Sequence, residues 1–410
     1  MNLRHFCKVK TFMHISFDID PIILAIAGIS ACFSIFYTLW YFFSYRSLKK
    51  ASILSHKTNR LHKGDICDES QGVSVIVYSD NDTSKLVRNL PSLLEQDYPL
   101  YEIIVVNDGE NEAVQDHIDR LALNYDNLHY TCTPNDARNL SRKKLALMVG
   151  IKAAKYDIIL TTSAKCRPMS KQWISAMAAH FDNTTGVVIG ISKTEDGTDV
   201  TKGRFLRAFM RLQNTVKYLI QAIRHKPYRG TSDNIAYRKT LFFKHKGFSH
   251  SMHLHYGDDD IFVNEITTKE NTRVEISEES MVSVWYNNPD RAFKNDKLRH
   301  SFTESKISSP AFFMASLLTA FYYAIFIGSA AMIALGYSNI IIIATALLII
   351  ALTIIPQIAI YRKIAALLQS AKLMMSIPLF TLAQPFINFY YKLKSKRHTD
   401  YNYTWQRLKG

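Results

Sequence analysis

Acidic residues are in short supply in this chain, and so are glycine and proline. Only 35 Asp and Glu stand against 50 Lys and Arg, leaving a formal charge of +15. With 15 Gly and 11 Pro in 410 residues, long disordered tracts are excluded. The five cysteines, Cys7, Cys32, Cys67, Cys132 and Cys166, show neither paired nor metal-ligand spacing. They read as reduced, buried thiols in a cytosolic setting. No glycine-rich phosphate loop follows the first strand-like run, and neither GxGxxG nor a Walker sequence stands at a strand end. Dinucleotide and P-loop sites thereby lose their main support. The most pointed shortage is local. The buried-strand run DIIL, Asp157 to Leu160, closes on Thr161, Thr162, Ser163, Ala164 and Lys165 without an acid. In open α/β sheets, ligands bind beyond such carboxyl ends.

The positive residues gather beside apolar stretches and at the C-terminus, a pattern that points to a lipid bilayer and not to nucleic acid. Residues 21–43 carry no charge and are long enough to span. Bulky aromatics run directly into Tyr45 and Arg46 with no small-residue cleavage site, so the segment stays as an anchor. Arg46, Lys49, Lys50, Lys57, Arg60 and Lys63 outnumber Arg4, Lys8 and Lys10 across it, which puts residues after 44 in the cytoplasm. Two further apolar runs, 311–335 and 338–360, flank the short turn Gly336-Tyr337 and read as a transmembrane hairpin. The stretch 374–391 holds two prolines and several polar groups and reads as interfacial or re-entrant, because spanning would export the basic tail Lys392, Lys394, Lys396, Arg397, Arg407 and Lys409.

Between these segments short apolar runs alternate with amphipathic ones. Strands are expected at 73–78, 102–106, 128–132, 157–162 and 187–192, with helices near 84–95, 111–123, 141–154 and 170–181. That is the βαβ signature of a mostly parallel sheet, with the carboxyl ends of the first four strands on one rim. Asp80 and Asp82 follow the first strand and Asp108 the second. A lone Asp there is ordinarily a helix cap or turn residue, but two clusters on neighbouring strand ends favour contacts to base or ribose hydroxyls.

VSVIVYSDND, NLPSLLEQDYPLYEIIVVNDG and RKKLALMVGIKAAKYDIILTTSAKCRP, with GTSDNIAYRK and YGDDDIF further on, resemble a membrane-bound family 2 glycosyltransferase of GT-A fold. The flanking spans fit its cellulose-synthase-like and poly-N-acetylglucosamine-synthase-like branch, and the resemblance runs over roughly residues 72–305. With the apolar and basic segments read above, it gives the following organisation: an N-terminal segment (1–20), a transmembrane helix (21–43), a basic linker (44–71) and a GT-A domain (72–289). An amphipathic interface segment (290–309), a transmembrane hairpin (310–360) and an interfacial or re-entrant segment with a basic tail (361–410) complete it.

By the same resemblance Asp82, Asp108 and Lys143 hold the nucleotide of a nucleotide-sugar donor. The family's DxD motif, which binds Mg or Mn across the diphosphate, falls on Ser163-Ala164-Lys165. A hydroxyl is a weak ligand and an ammonium repels a dication, so the metal requirement is in question. Lys165 either places its own charge near the diphosphate or is a solvated substitution in an eroded site. No metal ligands are assigned. Asp259 aligns with the base of an inverting transfer and Asp258 with its accompanying acid, three adjacent acids being expected to raise at least one pKa. Arg299 matches the arginine of QxxRW, whereas Asp296 and His300 replace its Gln and Trp. Gly230 to Asn234 resembles the loop shaping the donor and acceptor pocket. His253 and His255 have a metal-compatible spacing, but loop histidines ordinarily carry no ligand.

The function implied is transfer of a sugar to a membrane-associated acceptor, lipid-linked or polysaccharide, in cell-surface polysaccharide or glycolipid synthesis. The chain would sit in the inner membrane with its catalytic domain in the cytoplasm. The altered motifs also fit a catalytically impaired nucleotide-sugar sensor or a scaffold of a polysaccharide assembly complex.

Overall fold

The computed structural model describes residues 19–64, 71–135, 140–195, 203–371 and 376–396. Cys7, Cys67 and the basic residues Arg4, Lys8, Lys10, Arg397, Arg407 and Lys409 lie outside them. The described residues form two compact units. One contains residues 46–64, 71–309 as described, 365–371 and 384–396; the other contains residues 19–45, 310–364 and 376–383.

The first unit is built on ten strands: β1 (Val73–Ser79), β2 (Tyr101–Asn107), β3 (Leu128–Cys132), β4 (Ile158–Ser163), β5 (Cys166–Pro168), β6 (Val187–Ile189), β7 (Ser192–Glu195), β8 (Ile235–Arg238), β9 (Thr272–Val274) and β10 (Val282–Trp285). Seven of them form one sheet in the order β3-β2-β1-β4-β8-β6-β9. Pairing is parallel from β3 through β4 and between β6 and β9, and antiparallel only where β8 meets β4 and β6. The strands β1, β2 and β4 are buried on both faces, which is why they read as continuous Val/Ile/Leu runs and not as alternation. The register sets Ser79 opposite Asn107 and Tyr78 opposite Ser163, so the parallel strands end on one shared rim.

The same unit holds the end of α1 (Pro21–Gly64), from residue 46 on, and the helices α2 (Thr83–Leu94), α3 (Glu112–Ala122), α4 (Arg142–Ala153), α5 (Trp173–Ala178), α6 (Arg204–Arg224), α7 (Lys239–Lys244), α8 (Ile261–Ile266) and α9 (Pro289–Glu304). Asp82 and Asn111 cap α2 and α3 by accepting from Ser84 N and Val114 N.

The expected strand 187–192 is two strands in two sheets. A Cβ at Gly190 would stand 2.5 Å from the Asn234 amide nitrogen, so the backbone passes the amide there. Beyond it Ser192–Glu195 joins a second sheet, β5-β10-β7. The expectation of buried cysteines holds for Cys166 alone among those described; Cys132 is half-buried and Cys32 exposed.

The second unit holds the start of α1, α10 (Pro310–Leu335), most of α11 (Ile340–Leu367) and the start of α12 (Ile377–Lys396). Among the described residues three helices are long and apolar enough to cross a membrane: Pro21–Leu61, Pro310–Leu335 and Ile340–Leu367. Their polarity is inverted. Ile22, Ile29, Ile327, Leu348 and Ile355 face outward, while Gln357 is buried and bonds Tyr37 at 3.1 Å, Thr381 at 2.9 Å and Tyr322 at 3.2 Å. Ser34 and Thr353 bond at 2.8 Å in the same interior. Internal pairing of polar groups is what a helix unit surrounded by apolar solvent requires.

Candidate active site

The rim of the parallel strands is already hydrogen-bonded into a frame. Asp108, beyond β2, accepts from Arg142 Nε, from Tyr78 at 3.3 Å and from Thr133 at 3.4 Å. Asn107 donates to the Asn81 side chain at 2.9 Å, tying the ends of β1 and β2 together. Asp82 accepts from the Ser84 backbone at 3.1 Å and lies 3.3 Å from Lys85 Nζ, so its carboxylate caps α2. The Ser84 hydroxyl and Lys85 accordingly hold it below the usual Asp range, against some burial.

The acidic run 258–260 sits where Gly257 turns the chain through φ +112°, a region that favours glycine. Its three carboxylates have three different fates. Asp260 caps α8 through Ile261 N at 2.8 Å and is wedged between Thr303 and Arg229. Asp258 pairs with Lys143 Nζ at 2.5 Å, and Lys143 also donates to Ser232 at 2.6 Å. Burial opposes that charge, but Lys143 and Arg299 outweigh it and drive the Asp258 pKa down. Asp259 is 2 % exposed, pairs with Arg299 Nη1 at 3.1 Å through Oδ2, and leaves Oδ1 buried with no hydrogen-bond partner. Its carboxyl is pushed up to about 7, first by burial and then by Asp258 and Asp260, with Arg299 pulling the other way. Adjacent like charge was the expected cause; desolvation is the larger one.

Asp259 lies in the wall of a cleft lined also by Lys143, Lys165, Arg211, Asp233, Tyr286, Lys297, Arg299 and His300. Gly230 lies in the same wall and its N–H holds the Asp259 carbonyl at 2.8 Å. His300 is kept neutral by burial and by the nearby Arg229, Arg299 and Lys297. Asp82 and Asp108 do not line this cleft. Neither does Asn234, although Gly230, Thr231, Ser232 and Asp233 of the same loop do. The Asn234 side chain is fully buried, accepts from Trp173 Nε1 and donates to the carbonyls of Ile191 and Ser280. Lys144, next to the expected Lys143, is likewise structural, donating to carbonyls of Ser251, Leu254 and Tyr256.

The strand-end turn that lacks acids in the sequence gains one in space. Asp233, in the loop before β8, accepts from Ser163 Oγ at 2.9 Å and stands 3.3 Å from Lys165 Nζ. Each of its oxygens is therefore engaged by one of the two residues at the DxD positions. A dication would have to displace an ammonium to reach this carboxylate, so the donor set does not fit Mg or Mn. Among the described residues no three His, Cys, Asp or Glu side chains are grouped to hold a metal ion. Asp233, Arg211 and Tyr286 were not singled out from the sequence. Asp233 lies 70 residues beyond Ser163, and nothing in the local pattern links the two.

A mixed, mostly parallel sheet with a carboxyl-edge cleft and an acid poised over it defines a GT-A-like α/β domain. Residues 74–245 match the model of glycosyl transferase family 2, which supports a glycosyltransferase. No curated protein matches the chain. Among solved structures, the mannosyltransferase PcManGT from Pyrobaculum calidifontis, in complex with GDP-Man and Mn2+, is similar at 16% identity and a TM-score of 0.48. That likeness covers 88% of this chain and 99% of that one. S. aureus TarS 1–349 in complex with UDP-GlcNAc shows 15% identity and a TM-score of 0.40, over 80% of this chain and 92% of that one.

Proposed function

We propose that the chain is an inverting glycosyltransferase that moves a sugar from a nucleotide-sugar donor to a membrane-associated acceptor. The observation that carries this reading is Asp259, buried, paired with Arg299 on one oxygen and without a hydrogen-bond partner on the other, in the wall of a cationic cleft. A carboxylate with a raised pKa and a free lone pair is suited to take the acceptor hydroxyl's proton as the oxygen attacks the anomeric carbon. Arg299 keeps that carboxylate oriented, and its planar fork also reaches Asp296 at 3.7 Å. Asp258 with Lys143 fixes the loop that carries the base. Asp108 and Asp82 are the nucleoside-side residues of this reading, Asp108 the better placed because Tyr78, Thr133 and Arg142 hold it at the rim. The three apolar helices support a lipid or lipid-linked acceptor, in synthesis of a surface polysaccharide or glycolipid. The domain would then work on the cytoplasmic face of the inner membrane.

The test is incubation of the full-length protein in detergent with a panel of nucleotide sugars and a membrane-lipid extract, reading nucleoside diphosphate release. Turnover supports the transferase. Binding of a nucleotide sugar with no turnover under any acceptor would overturn it in favour of a sensor.

A further inference from the structure

The turn between β4 and β5 is held as a rigid platform. The Ala164 N–H donates to the Tyr78 carbonyl at 2.8 Å, the Asn89 amide donates to the Ala164 carbonyl at 2.8 Å, and the Trp285 N–H donates to the Lys165 carbonyl at 3.0 Å. Thus β1, α2 and β10 together fix three backbone groups of Ala164 and Lys165. On this platform the Lys165 ammonium rests 5.1 Å from the centre of the Tyr286 ring and 3.3 Å from Asp233. Arg211, from α6, lies against the same ring at 5.4 Å. Its Nη2 is buried without a hydrogen-bond acceptor, and the Asp296 carboxylate stands 4.0 Å away. Both cations line the same cleft as Asp259.

The charge pattern has a simple reading. A DxD carboxylate pair with a bound dication is locally neutral, and its usefulness lies in a positive centre facing the diphosphate. Here Lys165 with Asp233 is also neutral and also sets a positive group in the cleft wall, without an exogenous ion. Burial works against the ammonium, yet Asp233 and Tyr286 keep it protonated well above the ordinary lysine range. Arg211 adds a second, under-paired donor beside it. A diphosphate offers acceptor oxygens that fit such a pair of charge-assisted donors.

We propose that this turn binds the donor's diphosphate with the chain's own cations, Lys165 and Arg211, in place of a divalent metal ion, with Asp233 and Tyr286 as positioning residues that hold Lys165. The inference rests on the glycosyl-transfer reading above for the identity of its ligand.

The experiment is calorimetric titration of the full-length protein with inorganic pyrophosphate and with UDP, GDP, CDP and ADP, in EDTA and again with Mg2+ or Mn2+. Pyrophosphate and at least one nucleotide should bind in EDTA, with affinity changed less than about threefold by the metals. Arg211→Gln should weaken pyrophosphate binding about tenfold or more, as should Lys165→Gln combined with Asp233→Asn, which avoids leaving a lone buried charge. Lys165→Arg should bind within about threefold of the parent. Thermal unfolding checks that each variant is folded, and the chelation comparison on the parent decides even if the double variant is not. Binding seen only with Mg2+ or Mn2+ would overturn the inference and leave the transferase reading standing. Unchanged pyrophosphate affinity in both Arg211→Gln and a folded double variant would also overturn it. Absence of binding by pyrophosphate and all four nucleotides, with and without metal, would remove the donor reading and this inference together.

Discussion

Replacing Asp259 by Asn probes the base directly. The substitution keeps the side chain's size, and Arg299 keeps Asp296 at 3.7 Å, so the cleft retains its form. Loss of a general base costs about 10²–10⁴ in rate, or about 3–5 kcal/mol of barrier. The pH profile gives the sharper reading. With the Asp259 carboxyl at about 7, about one-tenth of the molecules carry the ionised base one unit below that pH. The rate should therefore rise about tenfold per unit from about pH 5 to 6.5 and level above about 7.5, whereas an unperturbed carboxylate would give no slope there. Stability carries an independent signature. The folded state favours the neutral acid, so its contribution is full below the ordinary pKa of 3.8 and is lost as pH rises through about 7. The variant's Tm should accordingly gain on the parent's between about pH 4 and 7 and keep a constant difference above that. The assay is nucleoside diphosphate release by the full-length protein across this range, beside thermal unfolding of both forms. A flat parental profile, or a variant retaining more than about a tenth of parental activity, would refute the assignment.

Other expectations concern neighbouring residues. Arg299→Met removes the charge that pulls the Asp259 pKa down, so the acidic limb of the rate profile should move to higher pH, together with a drop of about tenfold or more in kcat/KM. A limb that moves down or stays would contradict the pairing. Asn234→Ala strands Trp173 Nε1 and the carbonyls of Ile191 and Ser280 in the interior, and should cost about 2 kcal/mol or more. Thermal unfolding would register this as a Tm lower by several degrees, and an unchanged Tm would show that the amide is dispensable. Leu123 is 83 % exposed, and a cysteine introduced there in a cysteine-free background should react with an impermeant maleimide only after the cell membrane is opened. Labelling in intact cells would reverse the proposed orientation.

The parallel half of the sheet was legible because helix-covered strands must be apolar throughout, and VSVIVY, EIIVV and DIIL meet that requirement. The antiparallel insertion was not. β8 is four residues long, and its partner β4 lies far earlier in the chain, Thr161 pairing with Ile235, so its local pattern reads as loop. The acidic run 258–260 stood out as a motif, but the division of labour among its members depends on what surrounds each carboxylate: a helix end for Asp260, Lys143 for Asp258, and the cleft wall for Asp259. Asn234 belonged to a legible loop, yet its amide turned out to serve the core.

The sequence alone determined that the chain combines long apolar helices with an α/β domain, and that the turn after β4 presents Ser163 and Lys165 where acids would be expected. Composition and periodicity suffice for this, since each element must match its solvent along its own length. Only the tertiary structure supplied Asp233 to that turn, set Tyr286 and Arg211 beside Lys165, and buried Asp259 enough to raise its pKa. Ion pairing and desolvation act through distances of a few ångströms, and those distances are set by packing between segments far apart in the chain.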